Sequence, residues 1–207
     1  MNIHITDLLN RYPLLKECAD DIERVFSLMC DCYRSGGKVL LCGNGGSAAD
    51  AEHWSGELMK GFRKKRALAT DIHKNLDPVL AEHLQGALPT IPLTGFISLS
   101  TAYANDENPE YIFAQLVWGL GKKDDALVAI STSGNSINVV HALKTAAALG
   151  MKTIGLTGRG GGIIYNIADV CIRVPAEKVH YIQDYHLPIY HCLCAMLEDE
   201  FFPESEI

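Results

Sequence analysis

The run Lys38-Val39-Leu40-Leu41-Cys42-Gly43-Asn44-Gly45-Gly46-Ser47 decides how the rest of this chain is read. Val39 to Cys42 are apolar without alternation, the pattern of a parallel strand buried on both faces. The glycines then turn the chain directly into a helix, expected from about Ser47 to Lys60. Such a strand–loop–helix unit offers an oxyanion its backbone N–H groups and the positive end of a helix dipole. Within that helix His53 and Glu57 stand at i and i+4, so both side chains leave one face. An anion loop therefore adjoins a candidate metal and proton-transfer pair, a combination that points to an enzyme. Taken alone, a helical His/Glu couple is a common surface feature; the adjoining glycine loop gives it weight.

Working outward, the strand–helix alternation repeats. Gly95–Leu99, Ala126–Ile130, Met151–Leu156 and Asp169–Val174 read as further strands. Helices are expected after Pro109 through Leu120, over Asn138–Leu149, and from about Val179 to Glu200. Upstream, residues from about Thr6 to Tyr33 read as one long helix or two short ones, ended by Gly36-Gly37. Residues 64–92 are broken by prolines, with a short helix at Val79–Leu84. The pattern predicts an α/β fold: a three-layer, doubly wound, five-stranded parallel sheet, with an N-terminal helical segment over 1–35 that packs in an oligomer. It predicts one domain over 1–207 and no internal repeat. In such sheets ligands bind beyond the C-terminal strand ends. Asn44–Ser47, Ser131–Ser136 and Thr157-Gly158 all fall at that rim.

Composition narrows the function classes. The chain has 207 residues, 48% hydrophobic, enough for one sizeable core. Its formal net charge of -7 argues against nucleic acid as a main partner. The short basic run Arg63-Lys64-Lys65-Arg66 reads as a solvated loop. The start of the chain lacks a signal-peptide pattern, and no apolar run approaches the ~20 residues that span a membrane. The cysteines include two C-x-C pairs, Cys30/Cys32 and Cys192/Cys194, and no C-x-x-C. Buried free thiols in a reducing cytoplasm are expected.

A second loop strengthens the case. Ser131-Thr132-Ser133-Gly134-Asn135-Ser136 follows a strand and opens a helix. Its hydroxyls and the free helix N–H groups form a phosphate clamp that needs no lysine. Ordinary N-capping explains one hydroxyl, not all of them. No Walker loop is present.

Cys42–Ser47, Ser131–Ser136, Leu156-Thr157-Gly158 and Ile182-Gln183-Asp184-Tyr185-His186 together resemble the sugar isomerase (SIS) domain family, and within it the phosphoheptose isomerases, from about Gly36 to Leu197. The resemblance implies interconversion of sedoheptulose 7-phosphate and D-glycero-D-manno-heptose 7-phosphate by a cytoplasmic homotetramer that can carry zinc. It implies Glu57 and His191 as the acid/base pair and His53, Glu57, Gln183 and His191 as zinc ligands. It assigns Asn44, Gly45, Gly46, Ser47, Glu57, Asn105, Asp106, Ser131, Thr132, Ser133, Ser136 and Gln183 to the phosphorylated sugar. The residues themselves leave open whether Glu57 ligates metal or abstracts a proton. Gln183 and His191 lie eight positions apart, ~12 Å of rise on a straight helix. Sharing one ion therefore needs a kink at Pro188 or a second subunit. His186 reads as an interface or core histidine, and His73, His83 and His141 as surface or structural ones.

The chain also departs from the family pattern. Leu58-Met59-Lys60-Gly61-Phe62-Arg63 stands where Leu-x-Gly-Arg is usual, leaving Lys60 or Arg63 to replace the basic contact. His180 occupies an often acidic position. Two non-catalytic readings compete: a regulator similar to the DnaA initiator-associating protein, whose ending is echoed by Phe201-Phe202-Pro203, and a sugar-phosphate sensor. The regulator lacks the carboxylate and second histidine that this chain keeps as Glu57 and His191.

Overall fold

A computed structural model describes residues 2–203; Met1 and 204–207 of the domain expected over 1–207 lie outside the described residues. Among these residues the strands are β1 (Val39–Cys42), β2 (Thr90–Pro92), β3 (Ala126–Ile130), β4 (Lys152–Thr157) and β5 (Val170–Arg173). All pair in parallel, in the order β2-β1-β3-β4-β5. Every residue of β1 and β3 is buried, as their unbroken apolar runs require.

Alternate residues of β1 feed opposite cores. Val39 and Leu41 join the core beneath α1 (Ile3–Arg11), α2 (Ala19–Arg34), α3 (Gly46–Met59) and α10 (Val179–Phe201). Leu40 and Cys42 join the opposite core, beneath α7 (Ile112–Leu120), α8 (Ile137–Ala148) and α9 (Gly162–Ile167). This is the expected three-layer, doubly wound sheet. The N-terminal segment divides at Pro13, which cannot donate to the preceding turn and starts a 3-10 stretch, Pro13–Cys18. Helices α4 (Thr70–Asn75) and α5 (Pro78–His83) occupy the proline-broken region; Asp77 caps α5 by accepting from the Val79 N–H at 2.9 Å.

The expected strand at Gly95–Leu99 is overturned. The slot beside β1 is filled by Thr90–Pro92, with Val39 opposite Thr90. Pro92 is tolerated there because this is an edge strand. Gly95 ends a 3-10 turn and Ile97–Asp106 forms helix α6, with Ile97 73% exposed. A short apolar run does not by itself separate strand from helix. Among the described residues all seven cysteines are free and buried. Among the described residues no helix is long and apolar enough to cross a membrane.

Candidate active site

The strand order reverses direction between β1 and β3, which opens a crevice at their C-terminal ends. The loops that leave those ends carry the two polar motifs. Asn44 in the first loop and Asn138 in the first turn of α8 exchange side-chain amide hydrogen bonds, both 2.9 Å long. That reciprocal pair ties the glycine loop to the serine loop across the crevice.

Within the serine loop the Ser131 and Ser136 hydroxyls lie 2.9 Å apart. Ser136 is the N-cap of α8, yet its side chain makes no cap bond. Simple capping therefore does not explain its hydroxyl. Ser133 Oγ accepts from the Asn135 N–H at 3.1 Å. Gly134 has φ +67, and a Cβ there would collide with the Gly161 carbonyl. The loop is thus folded back to back against the one that follows β4. Thr132 joins it there, accepting from the Gly158 N–H at 3.0 Å.

Helices α3 and α10 pack side by side and run in the same direction. Gly46 begins the seam: a Cβ there would collide with the Gln183 side-chain amide, so glycine is what lets that amide lie on the start of α3. Two turns further on, three candidate residues cluster. His53 Nε2 lies 3.1 Å from Glu57 Oε1, and the His53 and His191 rings meet edge to face with centroids 5.2 Å apart. Lys60 Nζ donates to Glu57 Oε2 at 3.1 Å, so the lysine of the altered Leu58–Arg63 stretch holds the carboxylate. His191 Nε2 is buried without a hydrogen-bond partner. Burial, with His53 nearby, holds the His191 imidazole below its ordinary pKa. Behind His53, its Nδ1 lies 2.9 Å from the Tyr190 hydroxyl, which donates to Asp50 Oδ1 at 3.4 Å. The Tyr190 ring stacks on Trp54 at 5.4 Å. Desolvation pushes the Asp50 carboxyl upward from its usual range, opposed by Tyr190.

The far end of the seam corrects the reading of Arg63–Arg66 as a solvated loop at one residue, Arg66; Arg63 and Lys65 are exposed as expected. Arg66 and Glu198 have 0% side-chain exposure and pair at 2.8 Å. Glu198 also accepts from the Phe62 N–H at 2.7 Å and the Arg63 N–H at 2.8 Å. Arg66 donates to the carbonyls of Leu58 and Glu57 at 2.6 and 3.0 Å, satisfying the otherwise open end of α3. A guanidinium fits such a site because its rigid fork serves several acceptors at once.

The chain thus brings together Glu57, His53 and His191 in one group and Asn44, Gly45, Gly46, Ser47 and Gln183 in another. Helix α10 runs unbroken through Pro188. Gln183 stays with Gly46, about 10 Å of helical rise from His53. Asn105 and Asp106 are exposed at the end of α6 and bond each other at 2.8 Å; neither hydrogen-bonds the loops or the histidines. His186 is fully buried, with neither ring nitrogen bonded. Burial pushes its pKa down to about 4, opposed by the nearby Thr157 backbone. As zinc donors, His53, Glu57 and His191 have suitable chemistry, and the orphaned His191 nitrogen fits such a role. Among the described residues, no three His, Cys, Asp or Glu side chains converge closely enough to hold an ion.

Sequence reasoning missed Asp50, Tyr190, Arg66 and Glu198. Asp50 had a signal, since it precedes His53 by three and shares its helical face. The other three are recognisable only once α3 and α10 are in register.

A family model described as SIS domain matches residues 4–158. Phosphoheptose isomerase from Rhodospirillum rubrum is 40% identical over 185 residues, 89% of this chain and 88% of that protein. Its counterpart from Akkermansia muciniphila is 35% identical, covering 96% and 95% of the two chains. A solved phosphoheptose isomerase structure from Francisella tularensis superimposes with a TM-score of 0.74 at 33% identity, covering 94% of this chain and 98% of that one.

Proposed function

The chain belongs to the SIS-domain family, and on that premise we propose that it is an aldose–ketose isomerase of phosphorylated sugars, acting on sedoheptulose 7-phosphate. The observation that carries the reading is the meeting of Glu57 and His191 around His53, on adjacent helices beside the paired loops. An isomerase of this kind must move a proton between neighbouring carbons through an enediol. It needs a base over the C–H bond and an acid at the carbonyl oxygen.

In the proposed cycle the Glu57 carboxylate removes a proton from C1 of the ketose. The C–H electrons form the C1–C2 double bond, and the carbonyl oxygen takes a proton from His191. While the enediol is held the Glu57 carboxyl exchanges its proton with solvent, and it then protonates C2, while the O1 proton goes back to His191 and the aldose forms. Lys60 holds Glu57 Oε2, which orients the other oxygen. The Ser131–Ser136 loop receives the phosphate through hydroxyls and helix N–H groups. Asn44–Ser47 and Gln183 bind the sugar, and Asn105 and Asp106 are included as further sugar contacts.

Zinc belongs to the proposal as an exchangeable ion that His53, Glu57 and His191 would hold only by drawing closer together than they stand here, and it would polarise the carbonyl oxygen. Gln183 would join from a second copy of the chain, so the proposal includes a cytoplasmic homotetramer. An active monomer on dilution would exclude that part. The proposed substrate is a phosphorylated sugar, with neither nucleic acid nor a membrane as partner. The regulator reading loses its support from the chain ending. Phe201 meets Tyr33 edge to face, and Phe202 lies under Arg66, so both serve the fold.

The test is turnover of sedoheptulose 7-phosphate against five- and six-carbon ketose phosphates, followed by NMR with and without zinc. Preferred conversion of the heptulose supports the assignment. Preference for a shorter ketose overturns the sugar while keeping the reaction, and no turnover of any sugar phosphate overturns both.

A further inference from the structure

We infer that Asn135 is a positioning residue for the phosphate clamp: its side chain occupies the Ser133 carbonyl and fastens the serine loop to the start of α9, so that the loop meets an anion with donors. The inference rests on the reading of Ser131–Ser136 as that clamp.

A loop that cradles an anion presents N–H groups and hydroxyls, and its carbonyl oxygens have to be engaged elsewhere. Here each carbonyl from Ser131 to Gly134 already holds a donor. Ser131 accepts from the Gly134 N–H at 3.0 Å, Thr132 from the Gly158 N–H at 3.0 Å and Gly134 from the Ile164 N–H at 3.1 Å. The carbonyl of Ser133 is served by a side chain instead, accepting from Asn135 Nδ2 at 3.1 Å.

The other half of the same amide reaches the neighbouring loop. Asn135 Oδ1 accepts from the Ile163 N–H at 3.0 Å, in the first turn of α9. Gly162, at φ +56, makes room for that approach: a Cβ there would stand 2.6 Å from both the Ser133 and the Gly134 carbonyl oxygens. The two partners fix the amide's orientation, because a carbonyl needs its NH2 and an N–H needs its oxygen. A carboxylate at this position would set an acceptor against the Ser133 carbonyl. The Asn135 N–H also goes to Ser133 Oγ at 3.1 Å. A hydroxyl that accepts with one lone pair keeps its own proton to give, so Ser133 can meet the phosphate as a donor.

The experiment titrates the full chain with inorganic phosphate by calorimetry, beside initial rates on a sugar phosphate and urea unfolding. Wild type should bind phosphate saturably. Asn135→Ala should weaken that binding about tenfold, the scale of one lost hydrogen bond, and raise KM by the same factor with kcat within about twofold. Asn135→Asp keeps an acceptor for the Ile163 N–H, and with it the urea midpoint, but loses the donor to Ser133. It should weaken phosphate at least as much as the alanine variant, and in the same ratio to wild type at about 0.5 M KCl, where an exposed charge is screened. A residue that only held α9 would let aspartate replace it. Phosphate affinity equal to wild type in Asn135→Ala, or restored at high salt in Asn135→Asp, overturns the inference and leaves the clamp standing. A wild type that binds no phosphate removes the clamp and the inference together. Phosphate binding without turnover counts against the isomerase reading alone.

Discussion

At the start of the α3–α10 seam, Gly46 leaves space that the Gln183 amide occupies, and the surrounding loops are polar and open. At the far end, Arg66 and Glu198 fill the seam completely and share their hydrogen bonds with backbone groups. The same two helices therefore leave one end open, where the proposed sugar phosphate would meet them, and seal the other. Glu57, His53 and His191 sit between, close enough to the sealed end to be fixed and to the open end to be reached. Arg66 makes that link directly, since it binds the carbonyl of Glu57 itself.

The largest effect should come from the middle of the seam. Glu57→Gln should lower kcat by about 10⁴-fold, roughly 5 kcal/mol of barrier, with little change in the urea midpoint. Activity lost together with stability would instead make Glu57 part of the sealed end.

Next is the sealed end. Glu198→Ala leaves the buried Arg66 charge uncompensated and should cost about 3–5 kcal/mol in urea unfolding. A loss below about 1 kcal/mol would show that the pair is not the anchor described here.

Much of this contrast was legible beforehand, and its limits are physical. The β1 loop, the serine loop and the helical positions of His53 and Glu57 follow from local pattern, and the structure keeps them. The β2 strand was misplaced because an edge strand of Thr90–Pro92 has no periodicity to detect. Arg66 and Glu198 are 132 positions apart and looked like surface charges; only tertiary packing makes them a pair. Tyr190 was hidden for a similar reason, being one more apolar-looking position on a long buried helix. Gln183 lies eight positions before His191 on the unbroken α10, and the parallel register with α3 sets it against Gly46.

His186, one turn beyond Gln183, tests how dry α10 is near the open end. Its folded pKa of about 4 lies below the ordinary ~6.5, so protonation favours unfolding. Stability should be full above pH ~6.5 and fall by about 3 kcal/mol as pH drops toward 4. His186→Leu should remove that part of the slope in urea titrations at several pH values. An unchanged slope would assign the acid sensitivity elsewhere.

The smallest effect should come from the open rim. Ser136→Ala should raise KM for a sugar phosphate about tenfold, roughly 1.4 kcal/mol, without lowering stability, because its hydroxyl caps nothing. An unchanged KM, measured by initial rates, would remove the serine loop as the phosphate clamp.

The most direct test of the central claim is sedoheptulose 7-phosphate turnover in deuterated water, comparing wild type with Glu57→Gln. Wild type should yield an aldose phosphate carrying solvent deuterium at C2, and Glu57→Gln should yield almost none over the same time. Equal turnover by the two proteins, or none by wild type, would contradict an enediol isomerase whose base stands at the middle of the α3–α10 seam.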